Sequence, residues 1–106
     1  MTIRILALVG DAYGGQGGIA RYNCDLFQAL SAARAEILVM PRLGDASGVL
    51  PPGVRQWPAI RGRLAFSLAA LWRAWRHRPI DVVFCGHVFM APLALALSRL
   101  LGARLW

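Results

Sequence analysis

The feature that most constrains this chain is its opening: an apolar run, a glycine cluster and then a helical pattern. Residues 2–9 include Ile3, Ile5, Leu6, Ala7, Leu8 and Val9. Nearly unbroken apolar character suits a parallel strand covered on both faces. Residues 10–18 hold five glycines around Asp11 and Gln16. From Ile19 to about Ala33 the apolar residues Ile19, Tyr22, Leu26, Leu30 and Ala33 recur at helical spacing, with Phe27 beside them. Arg21, Asp25 and Gln28 fall on the other side.

The remaining residues repeat this alternation. Residues 36–40 form a second apolar run stopped by Pro41, and residues 41–59 are rich in proline and glycine. A brief strand fits residues 54–57. Residues 61–77 read as a second helix ended by Pro79, and residues 80–85 as a strand followed by a turn at Gly86 and His87. Pro92 suits the first turn of a third helix, with Gly102 at its C-terminal cap. Residues 104–106 resemble the opening of another strand. Strands alternating with helices predict an α/β fold, a Rossmann-like open parallel sheet with flanking helices. At 106 residues one small domain is the most the length allows. The abrupt end within a strand leads us to expect the front part of a longer protein.

Composition narrows the partners. With 58% hydrophobic residues the chain is no disordered tail, and two cysteines exclude a dense disulfide scaffold. Cys24 and Cys85 read most simply as reduced thiols. No signal peptide is evident, and the longest stretch without a charge, residues 82–98, is short for a bilayer span. All twelve basic residues are arginine against five acids, giving +7. That imbalance favours phosphate, nucleic acid or anionic lipid. Nucleic acid is disfavoured, because aromatic and basic residues do not alternate on a strand and no helix-turn-helix or zinc spacing occurs. Cys24, Cys85, His77 and His87 supply no metal-ligand pattern, so we expect neither a metal nor a resident cofactor.

The glycine cluster is the principal candidate site. At the carboxyl end of a parallel strand, glycines allow close backbone approach, and the helix start offers free N–H groups to a phosphate or diphosphate. A flexible strand–helix turn explains the same glycines without any ligand. The Walker phosphate loop fails, because the chain has no lysine. The dinucleotide pattern matches as Gly15-x-Gly17-x-x-Ala20. However, Asp11 to Gly14 separate it from the strand, and no acid ends the second strand. Arg42 there would suit a 2′-phosphate, which keeps an NAD(P)-binding oxidoreductase as an alternative. A free-standing basic α/β binding module is the other.

Two stretches, ILALVGDAYGGQGGIARYNCDLFQAL and RPIDVVFCGHVFMAPLALALSRLLGARLW, resemble the retaining glycosyltransferases of family 4. Their architecture, GT-B, pairs two Rossmann-like domains. The likeness lies in the first strand, the Gly-Gly-Ile loop, the Arg-Tyr helix, the Asp-Val-Val strand with its following histidine, and the Pro-Leu-Ala helix. It implies the first part of the N-terminal, acceptor-side domain, with the C-terminal nucleotide-sugar-binding domain absent from these residues. It also implies transfer of a sugar, with retention, from a nucleotide-sugar to a glycan or lipid-linked acceptor in polysaccharide, lipopolysaccharide or glycolipid assembly. By the same likeness Gly17, Gly18 and Ile19, with Gly15 as a second register, approach the donor. His87 lies near the donor sugar by that likeness. Asp11, from its place in the glycine cluster, reads as an Asx-type turn or helix-start acid, with contact to an acceptor hydroxyl as the functional alternative. The chain departs from the family at Phe84 and Cys85, where another histidine is common, and lacks the second domain's paired glutamates. The isolated chain is therefore expected to be inactive.

The second helix is the last candidate. The sequence puts Leu64, Leu68, Leu71, Trp72 and Trp75 on one side, expected to pack on the sheet. Arg63, Phe66, Arg73 and Arg76 fall on the other, either a solvated face or a contact for an anionic membrane surface. The expected location is cytoplasmic, peripheral at the inner face of the membrane in the second case.

Overall fold

The computed structural model describes residues 3–10, 18–42, 50–86 and 90–106. In chain order the elements are β1 (Arg4–Val9), α1 (Gly18–Ala32), β2 (Glu36–Pro41), β3 (Val54–Gln56), α2 (Arg63–Arg76), β4 (Val82–Cys85), α3 (Ala91–Leu101) and β5 (Arg104–Leu105). The five strands form one sheet in the order β3-β2-β1-β4-β5, and every pairing is parallel. This is the α/β Rossmann-like arrangement that the alternation of elements predicts.

The apolar strands are buried on both faces, as their composition requires. On one face Ile5, Ala7, Val9, Ile37, Val39 and Val82 pack with Phe27 of α1. On the other, Leu6, Leu8, Leu38, Met40 and Val83 pack with Phe66, Ala70 and Ala74 of α2 and Ala94 and Leu97 of α3. Successive residues thus feed opposite layers and residues two apart the same one, which is the pleat of a strand read through its contacts. Phe84 closes one end of the first layer by meeting the Phe27 ring edge-on, with centroids 6.1 Å apart. The third helix starts as expected, with Pro92 in its first turn, and stops at Gly102 in the left-handed conformation at φ 65°.

The order of strands sets the functional geometry. From β1 the chain proceeds outward to β2 and β3, then returns to lay β4 on the other side of β1. The strand order reverses between β1 and β4, and α1 and α3 lie on opposite faces. Gly86 ends β4 at this reversal, and its N–H donates to Leu8 O at 2.8 Å. A Cβ there would stand 2.8 Å from Val9 Cγ1 and 3.1 Å from Leu8 O, so only glycine fits.

Two helix faces differ from the sequence reading. In α1 the buried residues are Ala20, Asn23 and Phe27, while Tyr22 is 64% exposed. The α2 correction is larger. Phe66 is 2% exposed, and Leu64, Leu68, Trp72 and Trp75 are the outward residues, at 73%, 57%, 61% and 51%. The expectation that these four pack on the sheet is overturned, as is that of Phe66 as a surface residue. The reason is space: the layer beneath α2 is already filled by Leu6, Leu8, Leu38 and Met40. Ala70 and Ala74 let the helix sit close, with one large ring, Phe66, inserted.

Candidate functional site

Ligands of open parallel sheets bind outside the carboxyl ends of the strands, at the point where strand order reverses. Here the segment after β1 joins Val9 to Gly18, the first residue of α1, at that rim. Asp11, Gly15, Gly17 and His87 lie outside the described residues. Gly18 is exposed at the head of α1; Ile19 is in the helix, its side chain outside the description. Among the described residues a Cβ on Gly10 or Gly18 would meet nothing within 4 Å, and neither is one of the glycines with a positive φ. Packing and backbone conformation therefore do not require glycine at either place. A bare backbone facing open space at a strand–helix junction lets an anion reach the amides.

A second feature of the rim comes from β2. Arg42 follows the strand, its backbone N–H donating to Val9 O at 3.1 Å and Gly10 O at 3.2 Å. Its side chain lines a cavity of about 230 Å³ with Arg63, Phe66, Ser67, Met90, Pro92 and Leu93. Arg42 Nε is buried and has no hydrogen-bond partner among the described residues. The sequence had marked Arg42 for a phosphate and Arg63 for a surface. It gave no sign that they share a cavity with Ser67 and Met90, since that depends on how α2 and α3 lie beside each other.

The four α2 residues proposed from sequence as a membrane contact separate in the structure. Arg63 and Arg76 are exposed, Phe66 is in the core, and Arg73 is half-buried. Arg73 turns inward over the Trp57 ring, 4.7 Å from its centroid, with Nη1 buried and unpartnered. Burial lowers its pKa from the ordinary arginine value. Arg73 is therefore removed from the outward set. What faces outward instead is the Leu64–Leu68–Trp72–Trp75 stripe, with Arg76 5.3 Å from the Trp72 centroid and Arg78 3.4 Å from that of Trp75. Cation–π contacts of this kind hold guanidinium groups at the rim of an apolar strip.

The charged cluster at the opposite, amino end of the sheet is structural. Arg4 Nε meets Glu36 Oε2 at 2.8 Å, its Nη1 donates to His77 O at 2.8 Å, and its backbone N–H donates to Asp81 Oδ2 at 2.9 Å. No group of three His, Cys, Asp or Glu side chains that could hold a metal occurs among the described residues. Neither cysteine is in a disulfide. No described helix is long and apolar enough to cross a membrane. The chain matches no family model, no curated protein and no solved structure.

Proposed function

We propose that the chain is the first part of the N-terminal, acceptor-side domain of a retaining glycosyltransferase resembling family 4, transferring a sugar from a nucleotide-sugar to a glycan or lipid-linked acceptor. The observation that carries this reading is the open backbone at Gly10 and Gly18, glycines that neither packing nor φ requires, beside the reversal of strand order. The donor's diphosphate would lie against the N–H groups at the start of α1, with Gly17, Gly18 and Ile19 nearest it and His87 approaching from the segment after β4. Asp11, in the same segment, would contact an acceptor hydroxyl, and Gly15 is the second register for approach to the donor.

The reaction would take place at an anionic membrane surface, with the outward stripe of α2 entering the interface and Arg63, Arg76 and Arg78 meeting headgroups. This replaces Phe66 and Arg73 with Leu64, Leu68, Trp72 and Trp75 as the contacting side chains.

The decisive experiment reads the coding sequence beyond Trp106 and assays the complete product with UDP- and GDP-sugars. A second Rossmann-like domain with paired glutamates, and labelled transfer with retained anomeric configuration, are expected. A stop codon directly after Trp106 would overturn the reading.

A dinucleotide reading has one observation of its own: Arg42 directly follows β2, where a 2′-phosphate is recognised in NADP-dependent folds. It predicts that NADPH raises the melting temperature of the isolated chain while nucleotide-sugars do not.

A further inference from the structure

We infer that the cavity between the starts of α2 and α3 is a binding site for a phosphomonoester carried on a compact apolar body. The inference stands apart from the glycine segment and does not depend on the transferase reading. Its first support is charge. Among the described lining residues two of seven, Arg42 and Arg63, are cationic, and none is acidic. The second is the state of Arg42. Its backbone is fixed by two hydrogen bonds to the end of β1, so the stem of the side chain starts from a fixed point. Its Nε is nevertheless buried without a partner. A buried N–H on a cation is satisfied in nearly all folded proteins, and an oxyanion that enters the cavity and draws the guanidinium round to meet it would satisfy this one. A guanidinium fork also matches a phosphate geometrically, two N–H groups to two oxygens.

The remaining lining gives the ligand its shape. Ser67 can add a hydroxyl donor. Phe66 and Met90, both buried, form an apolar floor, and Pro92 and Leu93 an apolar wall. At about 230 Å³ the space is below the usual range for a drug-sized ligand, so the body attached to the phosphate must be small. Arg63 is exposed at the first position of α2, so it would meet the phosphate's outer oxygens and govern entry. The charge at one end and the apolar floor at the other distinguish this site from a generally basic surface, which would attract any anion equally.

The same phosphomonoester chemistry could belong to the 2′-phosphate of a nucleotide, and the probes separate the two sources. Binding of phenyl phosphate, inorganic phosphate, 2′-AMP and phenol to the 106-residue chain is followed by isothermal titration and by amide shifts. Phenyl phosphate is expected to bind at least tenfold tighter than inorganic phosphate, with phenol undetectable and 2′-AMP weaker than phenyl phosphate. Arg42→Gln should lower the phenyl phosphate affinity at least tenfold, and Arg63→Gln by three- to tenfold. Arg55→Gln, on β3 away from the cavity, should leave it unchanged. Arg63 is exposed, so its variant keeps the test decisive if Arg42→Gln folds poorly. Equal affinity for phenyl and inorganic phosphate, or equal loss on Arg55→Gln, would overturn the site as mere attraction to a cationic chain. Tighter binding of 2′-AMP than phenyl phosphate would overturn the compact ligand in favour of a nucleotide.

Discussion

Arginine does opposite things at the two ends of the sheet. At the amino end Arg4 is held by the Glu36 carboxylate and the His77 carbonyl, and a cavity of about 320 Å³ lined by Arg4, Glu36, Arg55 and His77 opens beside it. At the carboxyl end a smaller cavity holds Arg42 with its Nε unpaired and Arg63 with no acid beside it in the lining. The larger hollow is the less suited to an anion, because its lining includes an acid, Glu36, which pairs with Arg4, whereas the described lining of the smaller one includes none. Cavity size is thus a poor guide to function here; the unpaired donor is the better one. Arg4 ties β1 to β2 and to the end of α2. Arg42 leaves a buried donor without a partner among the described residues, an arrangement that costs stability.

The comparison can be broken by substitution. The largest effect is expected at the carboxyl rim itself, where Gly86→Val forces side-chain atoms into Val9 and the Leu8 carbonyl. Overpacking of this kind costs about 3 kcal/mol. In a domain this small it should remove the cooperative thermal transition seen by circular dichroism. Phe66→Ala should cost about 3 kcal/mol in a urea titration, since it empties the floor beneath α2. Preserved stability there would return Phe66 to the surface. At the amino end, Arg4→Met removes a charged pair and a carbonyl bond. Its partner Glu36 is nearly half exposed, so a loss of about 1 kcal/mol is expected once solvent screening is allowed for. Arg42→Met keeps the apolar stem but deletes the unpaired donor, so stability should stay within about 0.5 kcal/mol of the parent or rise. A loss matching that of Arg4→Met would erase the distinction between the two ends. The smallest change in stability, below about 0.5 kcal/mol, belongs to Trp72→Ser with Trp75→Ser, both outward. That double variant should abolish co-sedimentation with anionic vesicles. Equal recovery of the parent chain with neutral and anionic vesicles would remove the membrane contact.

The sheet was legible because its evidence is local. Ile5 to Val9 and Ile37 to Met40 are apolar runs flanked by breakers, and Gly102 marks a helix end whatever lies around it. Helix faces were less so. In α2 the largest apolar residues define a stripe that points away from the core, and the buried stripe is made of Phe66, Ala70 and Ala74. Alanines carry little weight in a periodicity argument, yet they are what close packing of a helix on a filled layer needs. The Tyr22 and Asn23 exchange in α1 has the same origin: side-chain size alone does not say which face meets the sheet. The rim was located by the strand–glycine–helix order. The Arg42 cavity was not, because its walls come from three separated parts of the chain.

The outward indoles of α2 also make this protein its own optical probe. Trp72 and Trp75 are water-exposed, and guanidinium groups of Arg76 and Arg78 lie against them. Any surface that covers the stripe must strip solvent from both rings at once. Intrinsic emission will then shift to the blue and lose sensitivity to iodide, reporting docking without a dye or a label.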